Sequence, residues 1–534
     1  MRIFLFISVF LSVQSLQAQL GVDWYKNSSE LDIYNPKKSV YNPVDSCIYT
    51  VGMFSGQFEM DGLSVSSSFL KAFFLMKTKG NGELVWLKKI AENDYTIELT
   101  SQVALSVGSS GSLLLGITFN RKLFFGADST ILPDDPITTG GMLFKLDTSG
   151  VELWNRQVFA ATIQGIAVNG NEEVFLTGRT ISDDVYLTAY SQPGDSLWTR
   201  TGGSDNGFDE GKVLEIDPED NIYVLGQVEP GVLVYFDTEH PTFVNPYFRG
   251  SFLAKYNSSG TIQWVRCFYS ENFGDYVTAQ SITLQGNNVF VVGGYNGGNI
   301  KFFPASQALS SPDPGLTKSF ILCYDPAGAL LWRKLPHKPL SGGVGLELGE
   351  SLNERFVCKG TFSGSFVVAG DTLLSANNDV FIEAFDTLGN SIWHQQIKGT
   401  SPDVATSFFR AEADLVLNVS TKSNSLLLGN EAMNLAPVSD QMVLIRLNDE
   451  TVGIPENKTE DFCIFPNPAN GTWSIRSLHD VSGKNLQVFS ISGELVYEQE
   501  LANGNAVLNT PLANGTYLVR IAGSDGKPVR LVIQ

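Results

Sequence analysis

At 534 residues the chain is too long for one ordinary core, unless it grows by repeating a unit around a common centre. A hydrophobic content of 43% against 17% charged residues marks it as globular, and 11% aromatics with 51 glycines favour strands and tight turns. The formal charge of −20 excludes nucleic acid and anionic membrane surfaces as partners, because their phosphates would be repelled.

The first element in the chain is "MRIFLFISVFLSVQSLQAQ", with one early basic residue, Arg2, an apolar run over 3–13 and small or polar residues near Ala18. This is the layout of a secretory signal peptide, predicted to cover residues 1–18. The apolar run is much shorter than the roughly 20 residues that span a bilayer, and no later segment is long and apolar enough, so the mature chain is predicted to lack a transmembrane segment.

Next comes a short strand around Trp24 in "GVDWYKNS", followed by six copies of one pattern. Each copy places a Gly four residues before a Trp: Gly82/Trp86, Gly150/Trp154, Gly194/Trp198, Gly260/Trp264, Gly328/Trp332 and Gly389/Trp393. Asp147, Asn257, Asp325 and Asp386 stand three residues before the Gly in four of them. That spacing predicts a type I turn continued into a left-handed residue, hence a β-hairpin. Upstream of each hairpin an apolar run ends in Gly, as in "NIYVLG" and "NVFVVGG", and a further short apolar segment precedes it. One unit therefore reads as four antiparallel strands, A to D, with the Trp on strand D.

A seventh unit has its strand C, "QMVLIRLND" (441–449), but no Trp-bearing arm after it, while Trp24 stands at the start of the chain with no hairpin before it. A ring of seven four-stranded blades, closed when the strand of Trp24 completes the last blade beside 442–447, explains both ends. The fold class predicted is all-β: a seven-bladed β-propeller over 19–449 closed by an N-terminal strand. Units such as "GFDEGKVLEIDPEDNIYVLG" followed by "SFLAKYNSSGTIQWVR" resemble the bacterial seven-bladed β-propeller repeat, SBBP, a likeness that implies a fold and hardly any activity. The hairpin "KLDTSGVELW" also resembles the tryptophan-docking motif of quinoprotein dehydrogenases. Such an enzyme commonly needs adjacent cysteines, absent here, and typically eight blades, so packing between blades is the better reading of that Trp.

After the seventh strand C the pattern breaks at "ETVGIPENKTEDF", a polar linker over 450–462. Short strands and Gly- and Asn-rich turns then predict a small Ig-like β-sandwich over 463–534. This segment resembles the type A C-terminal sorting domain of type IX secretion found in Bacteroidetes. The likeness rests on "PNPANG" (Pro466, Asn467, Pro468, Gly471), "VFSISGELV", "LANGTYLVRI" (Gly515, Tyr517) and a final apolar strand. It implies passage through the periplasm, the type IX machinery as partner, and release or attachment at the cell surface.

Chemistry is harder to find. The five cysteines are odd in number and sit mostly in apolar strand patterns, as buried small hydrophobes do. The four histidines show no metal-ligand spacing, and no nucleophile elbow, phosphate-binding loop or zinc-protease helix occurs, so no catalytic residue, metal or cofactor is nominated. The run "SDNGFDEG" offers Asp205, Asp209 and Glu210 as calcium ligands, but its spacing does not fit an EF-hand and a solvated connection between blades is the simpler reading. A glycosidase pair of carboxylates cannot be picked out of 56 acidic residues.

Connections between strands B and C are long at 227–251 and 295–319 and short at 179–184. Their aromatics, Tyr235, Phe236, Phe243, Tyr247, Phe302 and Phe303, are candidates for a recognition face, although F-x-G-like segments there also suit an extra hairpin packed on a blade. The expected function is an exported, non-enzymatic propeller binding an extracellular protein or glycan. A secreted enzyme acting on polysaccharide is the alternative.

Overall fold

A computed structural model describes residues 19–28, 33–69, 71–94, 102–131, 139–158, 162–204, 207–229, 231–235, 241–245, 250–270, 275–303, 308–310, 315–352, 355–429, 431–436, 441–450, 462–470, 472–477, 484–490, 495–501, 505–509, 512–522 and 529–533. The proposed signal peptide and most of the proposed linker lie outside these residues. Among those described there is no helix long and apolar enough to cross a membrane. Gln19–Asp449 forms one compact unit and Glu450–Gln534 belongs to another.

The larger unit is built from seven antiparallel sheets, each with four core strands, in chain order in the first six. The fourth shows the design: Glu210–Ile216, Ile222–Val228, Gly250–Tyr256 and Ile262–Tyr269 as strands A to D. Strands B and C are buried along their whole length here, because a neighbouring sheet covers each face. This is why they read as continuous apolar runs and not as alternating ones. The seventh sheet joins Asp403–Ala411, Asp414–Thr421 and Gln441–Glu450 to the N-terminal strand Gln19–Asn27, which lies beside Gln441–Glu450. There the Ser28 N–H donates to the Met442 carbonyl at 3.0 Å. Each innermost strand A touches the next one, and Asp403–Ala411 in turn touches Ile33–Asn42 of the first sheet.

The turns between strands C and D have the expected geometry. All six glycines are left-handed, with φ between 72° and 89°. In the second sheet the Gly150 N–H donates to the Asp147 carbonyl at 2.9 Å, while Asp147 Oδ1 accepts from Ser149 N and Val151 N at 2.8 and 2.9 Å. A β-bulge occurs just before the turn in every copy, for instance between Lys145 and Leu146. Glycine is required there for two reasons: the left-handed φ, and the indole of the preceding sheet lying against it. A Cβ on Gly389 would stand 2.5 Å from Trp332, and one on Gly82 would stand 2.9 Å from Trp24. The indole N–H groups complete the joint, donating to the neighbouring turn from Trp24, Trp154, Trp198 and Trp264 at 2.8–3.2 Å.

A cation two residues after the Trp reinforces the same joint. Arg156, Arg200 and Arg266 each lie over their own indole at 5.1–5.5 Å. Each donates through Nε to the carbonyl of the next turn glycine: Gly194, Gly260 and Gly328. Lys88 and Lys334 repeat the stacking at 5.3 and 5.8 Å. The Trp-x-Arg/Lys spacing is visible in the sequence and adds a signal for blade packing to that of the Trp alone.

The long B-to-C connections form hairpins that extend the outer strand of the preceding sheet. Asn299–Phe303 pairs with Ile262–Tyr269 through Cys267↔Phe303 and Phe268↔Phe302. Lys122–Phe125, Gly231–Tyr235 and Ser425–Leu428 do the same for the first, third and sixth sheets. In the sixth sheet strands A, B and C themselves lengthen to 15, 14 and 15 residues. A free outer strand is an aggregation hazard, and these insertions cover four of them.

The C-terminal unit is a seven-stranded path in the order Leu495–Glu500, Asn485–Ser490, Gly515–Ile521, Val529–Ile533, Phe462–Asn470, Thr472–Ser477, Asn505–Asn509. Leu486, Val488, Leu501, Val519, Ile521, Leu531 and Ile533 form its core.

Candidate functional site in the central channel

All seven innermost strands send residues to one cavity of about 320 Å³, among them Lys38, Ser106, Gln164, Lys212, Glu215, Ser281, Glu350 and Phe408. A second cavity of about 460 Å³ is lined by Pro43, Gly108 and Gly170, close to the turns between strands A and B, and it shares Glu350 with the first. The channel is therefore reached toward the A-to-B turns, the side opposite the long insertions.

Two carboxyls stand out in the channel. Burial pushes Glu215 up to about 7, against a smaller pull from Lys38. Burial, and then the charge of Glu215, push Glu350 up to about 8, opposed by Lys38, Arg410 and a hydrogen bond from the Arg410 backbone N–H. Both side chains keep some accessible surface, yet protein surrounds them, so an ionised carboxylate is poorly solvated there. Two polar groups of the lining are engaged: Lys212 Nζ reaches Gln227 Oε1 at 2.8 Å and Glu210 Oε1 at 3.3 Å, and Gln164 Nε2 donates to Glu210 Oε2. Near neutral pH the Glu215–Glu350 pair retains a proton, so it presents both a hydrogen-bond donor and acceptors to whatever enters. Nothing in the local sequence of either residue marks it, since only the meeting of the innermost strands brings them together.

A second buried cluster joins the fifth and sixth sheets. Ser319 Oγ meets His337 Nδ1, and His337 Nε2 meets Glu383 Oε2 at 2.5 Å. All three residues are buried, so the constellation resembles a hydrolytic triad only in composition and serves as an internal polar clamp. His337 is thus a packing residue, as expected.

Asp209, from the segment considered for calcium, is fully buried and not part of a solvated connection. Its Oδ2 accepts from Ser204 N and Oγ, and its Oδ1 from Glu229 N at 2.7 Å, while Glu210 engages Gln164 and Lys212. Asp205 lies outside the described residues. Both carboxylate oxygens of Asp209 are already spent on fixing the loop. No group of three or more His, Cys, Asp or Glu suited to a metal is found among the described residues.

Of the six insertion aromatics expected to form a recognition face, the structure describes the side chains of Phe302 and Phe303. Phe302 is 4% exposed, and Phe303 packs against the core of the fourth sheet. Tyr235 and Phe243 belong to paired hairpin strands, and Phe236 and Tyr247 lie outside the described residues. The insertion aromatics whose side chains are described serve pairing and packing between sheets. Trp24 is partly buried and takes the same position against Gly80 and Gly82 that the other indoles take against their own turns. In the C-terminal unit Pro466, Asn467 and Pro468 lie in Phe462–Asn470, where the register with the next strand shifts between Phe465 and Asn470. Gly471 is outside the described residues. Gly515 opens the strand Gly515–Ile521, and Tyr517 Oη donates to the Ala513 carbonyl at 2.8 Å.

Four-stranded sheets repeated around a channel lined by their innermost strands define a β-propeller. Residues 463–534 match the family model described as "Secretion system C-terminal sorting domain". The chain is similar to an uncharacterized WD repeat-containing protein, L264, of Acanthamoeba polyphaga mimivirus, at 21% identity over 493 residues, covering 75% of this chain. The chain spans about a third of that relative, 34% of its length. Among solved structures it is similar to the β-propeller domain of the Trilobed protease from Pyrococcus furiosus (TM-score 0.42, 9% identity, 77% of this chain and 96% of that one). It is also similar to a protein of unknown function from Dyadobacter fermentans (TM-score 0.40, 8% identity, 81% and 98%). By its own repeated sheets and the channel they line, the larger unit is of the β-propeller class. The protein carries a type IX sorting domain and is exported by that route to the cell surface or beyond it.

Proposed function

We propose that residues 19–449 form a seven-bladed propeller of the SBBP type, closed by the strand of Trp24, and that its channel is an extracellular binding site for a glycan or for a polar segment of a protein. Residues 1–18 act as the signal peptide, 450–462 as a linker and 463–534 as a small Ig-like sandwich read during export. The observation that carries the binding reading is the enclosed Glu215–Glu350 pair in a cavity of about 320 Å³. Carboxyls that can both donate and accept suit the hydroxyls of a sugar, and a cavity of this size holds one or two rings at most.

The alternative, a polysaccharide-cleaving enzyme, is favoured by the same two groups, because a protonated and an ionised carboxyl in one site are what glycoside hydrolysis uses. Mature protein, Glu215→Gln and Glu350→Gln would be compared on an array of glycans and cell-envelope proteins, with polysaccharide breakdown measured alongside. Saturable binding without turnover, weakened by either substitution, is expected. Turnover abolished by either substitution would establish the enzyme, and unchanged binding by both variants would remove the channel from consideration.

A further inference from the structure

The sorting unit has an outer face that its own fold leaves uncovered. Across three adjacent strands, Leu495–Glu500, Asn485–Ser490 and Gly515–Ile521, the register places Phe489 opposite both Leu495 and Leu518. Directly opposed residues share a face, so these three side chains form one apolar cluster. It is not the core face, because the alternate residues Val488 and Val519 point into the core with Leu486 and Ile521. Leu495 is 44% and Leu518 40% exposed, and the bulged Val496 beside them is 40% exposed.

The rest of that face is polar and already organised. Gln487 donates to Glu498 Oε1 at 2.7 Å and accepts from Arg520 Nε at 2.9 Å, and the Arg520 guanidinium lies 4.9 Å over the Phe489 ring. Leu495–Glu500 is also the last strand of the sheet on this side. The apolar cluster therefore runs to a strand that has no further strand beside it among the described residues. An antiparallel sheet packed on a core by one face normally turns a polar face to water, so the cluster is a cost in solubility that a binding partner would offset.

We infer that the Leu495–Phe489–Leu518 cluster, with the adjoining edge Leu495–Glu500, is the surface by which the outer-membrane export apparatus holds this tail. The occupant is a component of that apparatus presenting an extended apolar segment. It would lie along the edge as an added strand and set side chains on the cluster. This choice follows from what residues 463–534 match: a sorting domain works only by being bound, and this is the apolar patch next to an open edge among the described residues of the unit.

The test uses the full-length chain expressed in a type IX-competent host, with medium, surface and periplasm fractionated. Leu495→Thr/Leu518→Thr removes the apolar contacts while keeping residues that favour strands. Leu427→Thr, a strand leucine of the larger unit that is exposed to the same degree, is the control. The double variant is expected to fall roughly tenfold in export, with folded protein held in the periplasm, because two contacts at the centre of a patch dominate its affinity. Leu427→Thr should export like the parent. If the double variant loses the tail's thermal transition, Leu518→Thr alone decides, and normal export of that folded single variant overturns the inference. Normal export of a folded double variant overturns it directly. So does a parent chain that dimerises through this face, when the variants become monomeric yet export unchanged. Removing the tail altogether tests the sorting assignment separately, so a failed patch leaves that assignment standing.

Discussion

Trp24 and Arg446 converge on one acceptor, the Gly80 carbonyl, which takes a hydrogen bond from the indole Nε1 at 2.8 Å and from the guanidinium Nη1 at 2.9 Å. The two donors come from opposite ends of the larger unit, and Gly80 belongs to the turn of the first sheet. Arg446 is held in place by Asp414 at 2.7 Å and Glu412 at 3.2 Å. Trp24→Ala is expected to cost about 2 to 3 kcal/mol, less than for a fully buried indole because the ring is only partly covered. Combined with Arg446→Met, the loss should exceed the sum of the singles by about 0.5 to 1 kcal/mol, since only the double variant strips the carbonyl of both donors. Urea unfolding of the four proteins checks this, and strict additivity would mean that the shared acceptor contributes nothing.

The turn glycines allow a matched comparison. Gly389 and Gly370 both have positive φ, 72° and 96°, but a Cβ at Gly389 meets Trp332 whereas nothing lies within 4 Å of one at Gly370. Gly370→Ala should cost about 1 kcal/mol from backbone strain alone. Gly389→Ala should cost about 2 to 4 kcal/mol, because the indole must also move. Equal shifts in the unfolding midpoint would show that the Trp-on-turn joint is slack.

These joints are the part of the molecule that was legible in the sequence. A Gly at fixed distance from a Trp, with Asp or Asn three residues earlier, reports local turn chemistry, and local chemistry survives in any fold. Glu215 and Glu350 were not legible, because each stands in an ordinary strand and acquires its environment only when inner strands from seven units meet. Phe302 and Phe303 misled for a related reason. Phe302 belongs to a strand whose partner, Ile262–Tyr269, is in the preceding unit. An insertion that completes a neighbour's sheet looks, in sequence, the same as one that reaches for a ligand. Asp209 shows the converse: polar in sequence, it is buried because three donors surround it.

Shortening the insertion of the fourth unit should therefore affect stability and leave the channel unaffected. Replacing residues 230–249 with a brief turn removes the strand that pairs Tyr235 with Gly203 and Val234 with Ser204. A loss of about 1 to 3 kcal/mol is expected from the exposed edge and the lost pairing. Ligand binding, measured on the folded variant, should stay within twofold of the parent, since each factor of two is only about 0.4 kcal/mol. Binding lost without loss of stability would return the recognition face to the insertions.

The channel carboxyls give the stability a particular pH dependence. Glu350 and Glu215 have folded values near 8 and 7, raised from an ordinary 4.5. Between about 4.5 and 8 the folded state therefore holds more protons than the unfolded one, and stability falls as pH rises through that window. Their contribution is fully present below 4.5 and gone above 8, the reverse of an ion-paired carboxylate. Glu350→Gln should flatten the decline, most clearly between pH 6 and 8, in melting temperatures taken across that range. An identical slope in the variant would mean that Glu350 is already solvated in the folded protein.

Destination provides the last test. The proposed signal peptide would bring the chain only across the inner membrane, and a folded propeller of more than four hundred residues needs a dedicated pore to go further. The tail that matches the sorting model has its own hydrophobic core, and none of that core comes from Gln19–Asp449. Ending the chain at Val452 keeps every strand of the seven sheets, including Gln441–Glu450 and its neighbour Gln19–Asn27. The truncated protein is thus expected to fold, to melt like the propeller transition of the parent, and to stay in the periplasm of a type IX-competent host. Residues 456–534 attached to an unrelated periplasmic protein should carry that protein outside. Fractionation with immunodetection checks both arms. Efficient export of the truncated chain would show that the export signal lies within the propeller, and a retained fusion would show that the tail is insufficient without it.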